Sequence, residues 1–327
     1  MPPLKPPVRY HDLADPQAQP RHTGIPTFFR TPHTEALDQV DIGVIGVPFD
    51  GGVTHRSGAR HGPRAVRVQS ALLRRFNGAT GVAPFASARV RDLGDCWIEF
   101  PYQLEAALDE IAGFYRTVVG AGVVPLSVGG DHSISLPILR AVAAARPGGR
   151  PLGMVHIDAH SDTGDDYMGS RFHHGAPFRR AVEEGLLDPA RVVQIGIRGT
   201  TNDPDMWGFS IASGMRVIGM DEFDDMGWRA AAAEAVRVAG NGPVYLSFDI
   251  DSLDPAEAPG TGTPEAGGIT MREALRLLRA LRGVDFVGAD LVEVAPSFDV
   301  GDITAFNGAS VLFEELCLLA EARAARG

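Results

Sequence analysis

The strongest constraint on the fold of this chain is a series of short, continuously apolar segments that alternate with helical patterns. Unbroken apolar runs of this length are typical of parallel strands that are buried on both faces of a sheet. Strands are predicted at 40–48, 123–130, 152–158, 191–197, 216–220, 243–251 and 286–294. Helices are predicted at 63–75, 103–119, 135–146, 176–186, 228–239, 271–282 and about 304–323. This alternation predicts an α/β fold, either an open parallel sheet covered by helices or a barrel.

The domain organisation is predicted to be simple. Residues 1–35 form an irregular N-terminal arm, because the chain begins with the proline-rich, polar stretch MPPLKPPVRYHDLADPQ. No shift in composition divides the remainder, so residues 36–327 are predicted to form one domain. The polar N-terminus does not match a secretory signal. The sequence contains no run of 18 apolar residues, so a membrane span is not expected.

Charge and cysteine content narrow the functional classes. The chain has 30 basic and 41 acidic residues, a net charge of −11, which argues against a nucleic-acid partner because such binding needs a basic face. Only two cysteines occur, so a disulfide framework is excluded and a reducing, cytoplasmic location is expected.

Polar residues cluster where four of the predicted strands end. In open sheets and barrels alike, ligands bind at the carboxyl ends of parallel strands. The residues at these ends are Asp131 and His132, then Asp158, His160 and Asp162, then Asp249 and Asp251, and finally Glu293. If the four strands are neighbours, all of these side chains meet at one edge.

The spacing of these residues predicts a metal centre. Alternate side chains of an extended segment share a face, so D-x-H-x-D and D-x-D can each aim their ligands at one point. Four buried aspartates would repel one another unless they were paired or bound to metal. Two divalent cations would balance their charge, and the imidazoles of His132 and His160 complete a mixed set suited to manganese, nickel, iron or zinc.

Three motifs resemble the signatures of the ureohydrolase (arginase/agmatinase) family. They are GGDHS at 129–133, DAHSD at 158–162 and SFDIDSLDPAEAPGTGTPEAGG at 247–268, and the resemblance covers about residues 38–323. It implies a three-layer α/β/α sandwich around a mostly parallel sheet of about eight strands. It also implies a binuclear manganese centre, with nickel in some members, and a homotrimer or homohexamer. One ion would be held by His132, Asp158, Asp162 and Asp249, and the other by Asp158, His160, Asp249 and Asp251.

The resemblance further implies hydrolysis of a guanidino compound to urea and an amine by activated water. Glu293, in LVEVAP, matches the family glutamate that orients the guanidinium, and Thr263, in GTGTP, matches a hydroxyl that steadies this glutamate. His174, in RFHHGAP, takes the position of the proton shuttle. His173 is expected to lie on the substrate loop or the surface, although exchanged roles for these two histidines stay open.

The family includes enzymes with several different guanidino substrates. The sequence around the motifs is similar to the agmatinase/guanidinobutyrase-like branch of the ureohydrolase family, and agmatine is the favoured substrate. The alternatives are guanidino-acid hydrolases of the 4-guanidinobutyrase, 3-guanidinopropionase or proclavaminate amidinohydrolase type, with arginase third. Asp165 and Asp166 could meet the amine of agmatine, whereas Arg171 could meet a carboxylate. Two other classes remain: a non-catalytic metal-binding partner subunit and a related metal hydrolase acting on another bond.

Overall fold

The structure, a computed structural model, describes residues 13, 19–146, 148, 150–201, 203–205 and 207–327. The first 18 residues of the predicted N-terminal arm, apart from Leu13, therefore lie outside the described residues.

The described residues form an open sheet of eight strands that all pair in parallel. The strands are β1 Ile42–Gly46, β2 Val90–Asp95, β3 Val124–Val128, β4 Leu152–Ile157, β5 Leu187–Ile197, β6 Arg216–Gly219, β7 Val244–Asp249 and β8 Phe286–Val292. Their order in the sheet is β2-β1-β3-β8-β7-β4-β5-β6. All seven predicted strands are present, and the barrel alternative is wrong because β2 and β6 lie at two open edges.

Helices cover both faces of this sheet. They are α1 Gly62–Gln69, α2 Pro84–Ser87, α3 Leu104–Gly120, α4 Ser135–Ala144, α5 Pro177–Glu183, α6 Gly208–Ser213, α7 Met220–Ala239, α8 Met271–Ala280 and α9 Ile303–Arg326. Helices α3, α4 and α5 share one apolar core with the sheet, while α1, α7, α8 and α9 share the core on the opposite face. The predicted three-layer α/β/α sandwich is confirmed.

Local chemistry sets several helix boundaries. Helix α8 begins with a capping box, in which Thr270 and Glu273 accept hydrogen bonds from each other's backbone N–H groups. Helix α7 begins eight residues before its predicted start, at Met220, and is interrupted at Gly227, whose φ of 74° is not helical. The sequence analysis placed Met220 at the end of a strand and missed this first segment.

Strand β2 was missed because it is rich in charged residues. Its sequence, VRDLGD, lacks the continuous apolar pattern of the central strands, since it lies at the sheet edge. The carboxylate of Asp92 is buried there and accepts hydrogen bonds from the Phe28 backbone N–H at 2.8 Å and the Arg67 guanidinium at 3.0 Å. These partners compensate the burial of the charge.

The end of the predicted N-terminal arm packs onto this edge of the molecule. Phe28 and Phe29 are buried, and the ring of Phe29 lies 6.1 Å from that of Phe85 and 5.9 Å from that of Phe313. The backbone around His33 forms a parallel bridge to Asp92, which covers part of the open edge of β2.

Helix α9 is the one described helix that is long and apolar enough to cross a membrane. Within its most apolar 18-residue window, however, 83% of the helix is buried inside the protein. This burial is typical of the core helix of a globular domain.

Candidate metal centre

The four strands that carry the predicted site residues are consecutive neighbours, β3-β8-β7-β4, in the middle of the sheet. Because all of these strands run parallel, their carboxyl ends lie at the same edge. The side chains at this edge are mostly buried, while that of His160 is partly exposed.

One group of side chains surrounds the imidazole of His132. Its Nδ1 atom lies 2.9 Å from Asp162 Oδ2, 3.2 Å from Asp158 Oδ2 and 3.2 Å from Asp249 Oδ2. His132 is fully buried, and its Nδ1 atom has no hydrogen-bond partner among the described residues. A buried, unpaired nitrogen that faces three carboxylate oxygens is the environment of a metal ligand.

A second group surrounds His160. Its Nδ1 atom lies 3.1 Å from Asp251 Oδ2 and 3.5 Å from Asp158 Oδ1. Asp158 therefore contacts both histidines through its two different oxygens. Ligand atoms of Asp158, His160 and Asp251 lie within 4.8 Å of one another, close enough to share one ion.

Electrostatics also favours a cation here. Burial, followed by the negative charges of Asp251 and Asp158, holds the pKa of Asp249 well above its usual range. Burial raises the pKa of Asp251 as well. Carboxylates that repel one another in a dry environment are stabilised by divalent cations, so the donor set fits a pair of metal ions.

His156 is part of this cluster, although the sequence analysis gave it no role. It is buried on β4, its Nε2 atom lies 2.7 Å from Asp158 Oδ2, and its Nδ1 atom lies 3.0 Å from the amide nitrogen of Gln194. An amide nitrogen can only donate, so Nδ1 accepts and Nε2–H donates to Asp158. The alternation of His156 with Asp158 along the strand was the available signal.

A second hydrogen-bonded chain supports His132. Its Nε2 atom lies 2.8 Å from the hydroxyl of Ser247, which donates to Asp290 Oδ1 at 2.7 Å. The other oxygen of Asp290 accepts from Tyr245 at 2.8 Å and from Ser135 at 2.7 Å. This chain holds the ring so that Nδ1 is free to face the carboxylates, as the outer partners of metal-binding histidines do.

Glu293 and His174 lie together beside the cluster. Glu293 Oε1 accepts a hydrogen bond from the backbone N–H of His132 at 2.9 Å and lies 2.9 Å from Nδ1 of His174. Glu293 Oε2 is buried and has no hydrogen-bond partner among the described residues. The backbone of Glu293 has a φ of 64°, a strained conformation of the kind found at functional sites.

Thr54, which was not singled out individually, holds the opposite side of His174. The Thr54 hydroxyl lies 2.7 Å from His174 Nε2, and its backbone N–H donates to the same atom at 3.2 Å. Burial lowers the pKa of His174, but the charge and hydrogen bond of Glu293, together with the charges of Asp162 and Asp131, raise the pKa to about 9.

One predicted contact differs in the structure. Thr263 was expected to steady Glu293, but its hydroxyl donates to Asp251 Oδ2 at 3.3 Å, because the 3-10 turn after β7 brings Asp251 next to it. His173, expected on the substrate loop or the surface, contacts that loop: its Nε2 atom lies 3.4 Å from the backbone oxygen of Asp165 and its ring is 5.8 Å from that of Tyr167. Of the adjacent pair, only His174 contacts Glu293.

The sandwich fold with this His/Asp cluster at the carboxyl ends of its central strands defines a metal-binding hydrolase of the α/β/α class. The chain belongs to the Arginase family, whose model matches residues 40–317.

Three similar proteins support this membership. The chain is 56% identical to guanidinopropionase of Pseudomonas aeruginosa, over 93% of this chain and 95% of that protein. It is 46% identical to the mitochondrial agmatinase of Gallus gallus, over 91% and 87% of the two chains. The solved structure of proclavaminate amidino hydrolase from Streptomyces clavuligerus superposes with a TM-score of 0.88 at 42% identity, covering 93% of this chain and all of that one. The protein is therefore a ureohydrolase, an enzyme that cleaves C–N bonds of guanidino compounds.

Proposed function

We propose that this enzyme hydrolyses a guanidino acid to urea and an amino acid, with 3-guanidinopropionate as the first candidate. The aligned sequence of the guanidinopropionase is 56% identical to this chain, whereas that of the agmatinase is 46% identical. The preference for agmatine in the sequence analysis is not confirmed, and agmatine becomes the second candidate.

In the loop at 163–174, the residues considered for substrate recognition are engaged by other groups of the protein. Asp165, one of the two acids proposed to meet the amine of agmatine, already forms ion pairs with Arg179 at 2.9 Å and Arg180 at 2.7 Å. Asp166 accepts a hydrogen bond from the backbone of Gly169. Because the charge of Asp165 is balanced, the loop offers little attraction to a cationic tail. Arg171 is paired with Glu183 at 2.7 Å, so it does not by itself select a carboxylate either.

We infer that two divalent cations, manganese or alternatively nickel, occupy the cluster. His132, Asp158, Asp162 and Asp249 would hold one ion, and Asp158, His160, Asp249 and Asp251 the other. The unpaired Nδ1 of His132 and the carboxylates around it fit such a group. When bound, the cations supply the Lewis acidity that makes water acidic enough to act as a nucleophile near neutral pH.

The buried, unpaired oxygen of Glu293 is the observation that carries the proposed reaction. A carboxylate oxygen without a partner in a dry site is costly unless a ligand pairs with it, and a planar guanidinium is a matching cation. Glu293 would therefore bind and orient the guanidino group beside the cluster.

His174 would deliver the proton that the departing amine needs. When it is charged, Nδ1–H faces Glu293 and Nε2–H can donate to the hydroxyl of Thr54. When it is neutral, the backbone N–H of Thr54 donates to Nε2, so each protonation state has a partner. A histidine that is stabilised in both forms is suited to proton transfer.

A panel of substrates tests the proposal. Urea release is measured with 3-guanidinopropionate, 4-guanidinobutyrate, agmatine and arginine after manganese or nickel loading, and the variant Glu293→Gln serves as the inactive control. We expect the highest kcat/KM with 3-guanidinopropionate. A higher value with agmatine would overturn the guanidino-acid assignment, and metal binding without urea release from any guanidine would favour a non-catalytic subunit.

Assembly and location remain predictions from the sequence. The expected homotrimer or homohexamer is tested by size-exclusion chromatography with light scattering, where a monomer would contradict it. The cytoplasmic location is tested by cell fractionation.

A further inference from the structure

Arg198, the first residue after β5, is surrounded by backbone carbonyl groups at the edge of the metal centre. Its guanidinium donates hydrogen bonds to the carbonyl oxygens of Gly196, Asp251, Ser252, Leu253, Glu265 and Ala266. The shortest are 2.7 Å to Glu265 and 2.8 Å to Asp251. One side chain therefore joins the end of β5, the turn after β7 and the loop that follows it.

This arrangement matches the shape of an arginine and of no other side chain. A guanidinium has five N–H donors in a fixed plane, whereas an ammonium has three donors around one atom. Space for the group is also specific: a Cβ atom added to Gly268 would lie 2.5 Å from Arg198 Nη2. The backbone of the loop thus approaches the guanidinium closely because residue 268 is a glycine.

Arg198 holds Asp251 from one side while Asp249 holds it from the other. The backbone oxygen of Asp251 accepts from Arg198 Nη2, and its backbone N–H donates to Asp249 Oδ1 at 2.8 Å. Asp251 lies in a 3-10 turn, where the ladder bonds of a strand no longer define its position. Its side chain must nevertheless reach His160 Nδ1, 3.1 Å away.

The group around His132 has a different support. His132 is held by Ser247 and Asp290, which lie on strands β7 and β8, and none of its hydrogen bonds involves Arg198. The two groups share Asp158 and Asp249, but the hydrogen bonds that hold His132 come from partners other than Arg198.

We propose that Arg198 is a positioning residue that controls occupancy of the ion site that includes His160 and Asp251. Without the guanidinium, three backbone carbonyls of the turn lose their hydrogen-bond donor, those of Asp251, Ser252 and Leu253. The carboxylate of Asp251 is then no longer aimed at His160. The site around His132 keeps its own support. This inference rests on the proposed two-cation centre.

Arg191 provides a matched control on the same strand. Its guanidinium donates to the backbone oxygens of Ala239 at 2.9 Å and Pro243 at 3.4 Å, before β7 begins. Replacing Arg191 also removes bonds from an arginine to backbone carbonyls, but away from the carboxyl ends where the metal centre lies.

The experiment titrates manganese into the apo forms of the wild type, Arg198→Met, Arg198→Lys and Arg191→Met, with circular dichroism as the check of folding. We expect two ions per chain in the wild type and Arg191→Met. In Arg198→Met, we expect one of the two ions to bind at least tenfold less tightly and the other to change less than threefold. In Arg198→Lys, which keeps the charge without the planar fork, we expect an intermediate loss.

The outcomes separate this inference from the proposed function. If the wild type binds no manganese, the two-cation centre itself fails. If it binds two ions and both affinities in the Arg198 variants stay within threefold of it, only the role of Arg198 is overturned. Equal weakening of both ions in Arg198→Lys and Arg191→Met would show a general loss of stability instead and would likewise overturn it. If Arg198→Met does not fold, Arg198→Lys decides the question.

Discussion

Nδ1 of His174 lies 2.9 Å from Oε1 of Glu293, although 119 residues separate the two in the chain. The contact is buried, so the carboxylate acts on the imidazole through little solvent. It couples the group proposed to bind the guanidinium to the group proposed to move the proton.

Replacing Glu293 by Gln should lower the pKa of His174. Burial alone favours the neutral imidazole, and Glu293 contributes most to the acidic surroundings, with Asp162 and Asp131, that raise the pKa to about 9. NMR titration of the His174 ring in the apoprotein measures the change. The surface variant Glu184→Gln should leave this pKa unaltered, and an unchanged value in Glu293→Gln would contradict the coupling.

The pair formed by His174 and Glu293 should also make the free energy of unfolding depend on pH. Because the folded-state pKa of His174 lies above its usual value of 6.5, the folded apoprotein holds a proton that the unfolded chain has lost between about pH 6.5 and 9. The stability from this pair is complete below pH 6.5 and falls by up to about 1.4 kcal/mol per pH unit until the pH passes 9. Urea unfolding across this range should show a steeper decline for the wild type than for Glu293→Gln.

Replacing His174 by Ala should slow turnover without removing metal. Its ring contacts Glu293 and Thr54, and loss of a proton-transfer group costs about 100-fold or more in kcat. His173→Ala is the matched variant, since that ring faces Asp165 and Tyr167 instead. Metal analysis and steady-state kinetics of both proteins check the expectation, which equal slowing by His173→Ala would refute.

Thr54 should matter through its hydroxyl. Thr54→Val keeps the shape of the side chain but removes the partner of His174 Nε2, 2.7 Å away. A hydrogen bond to a charged group contributes about 1.5–3 kcal/mol, so kcat should fall by about tenfold or more. Thr54→Ser keeps the hydroxyl and should retain most of the activity. Similar kinetics in the two variants would remove Thr54 from the mechanism.

Replacing Asp249 by Asn should stabilise the apoprotein. The same replacement should abolish the gain in stability that the wild type shows when it binds metal. Burial and its acidic neighbours disfavour the charge of Asp249, so removing the charge relieves repulsion. A ligand at about 1,000 times its Kd adds about 4 kcal/mol to stability, and this gain should disappear with the ligand oxygen. Thermal unfolding with and without manganese measures both effects. A wild-type response to manganese in Asp249→Asn would contradict its role as a ligand.

Two adjacent glutamates on α9 should respond oppositely to replacement by Leu. Glu315 is fully buried, and neither of its carboxylate oxygens has a hydrogen-bond partner among the described residues, so burial raises its pKa well above the usual range. Glu314 accepts hydrogen bonds from Arg279 at 2.6 Å and Asn77 at 2.8 Å. Glu315→Leu should raise the free energy of unfolding by about 1–3 kcal/mol, and Glu314→Leu should lower it by a similar amount.

The pH dependence checks the first of these changes. Above pH 4.5 the unfolded chain loses the proton of Glu315 while the folded protein keeps it, so the stability of the wild type declines as the pH rises through this range. The advantage of Glu315→Leu should therefore grow with pH in urea unfolding. A constant difference between the two proteins would show that Glu315 is not held neutral.

The succession of strands and helices along the chain was predictable from the sequence. Central parallel strands are buried on both faces, so they are apolar throughout. The edge strand β2 was not predicted, because the charged residues Arg91, Asp92 and Asp95 interrupt its apolar pattern. The cluster was also predictable, since each member ends a strand or lies within five residues after one: His132, Asp158, His160, Asp162, Asp249 and Asp251.

The supporting residues were not predictable in this way. Ser247 and Asp290 lie inside apolar strands, where one polar residue carries no local signal of its partner. Thr54 and Arg198 act on groups 120 and more than 50 residues away. Nor does the local sequence show the positive φ angles of Asp162 and Glu293.

The sequence by itself determined the class of fold, the family and the identity of the cluster, because periodicity and motif spacing are local properties of the chain. Only the tertiary structure decided which atoms face each other: that His174 rather than His173 meets Glu293, that Thr263 turns to Asp251, and that Arg198 joins three segments. Such contacts depend on the order of the strands and on the path of each loop after its strand ends. Both are set by the packing of the whole domain.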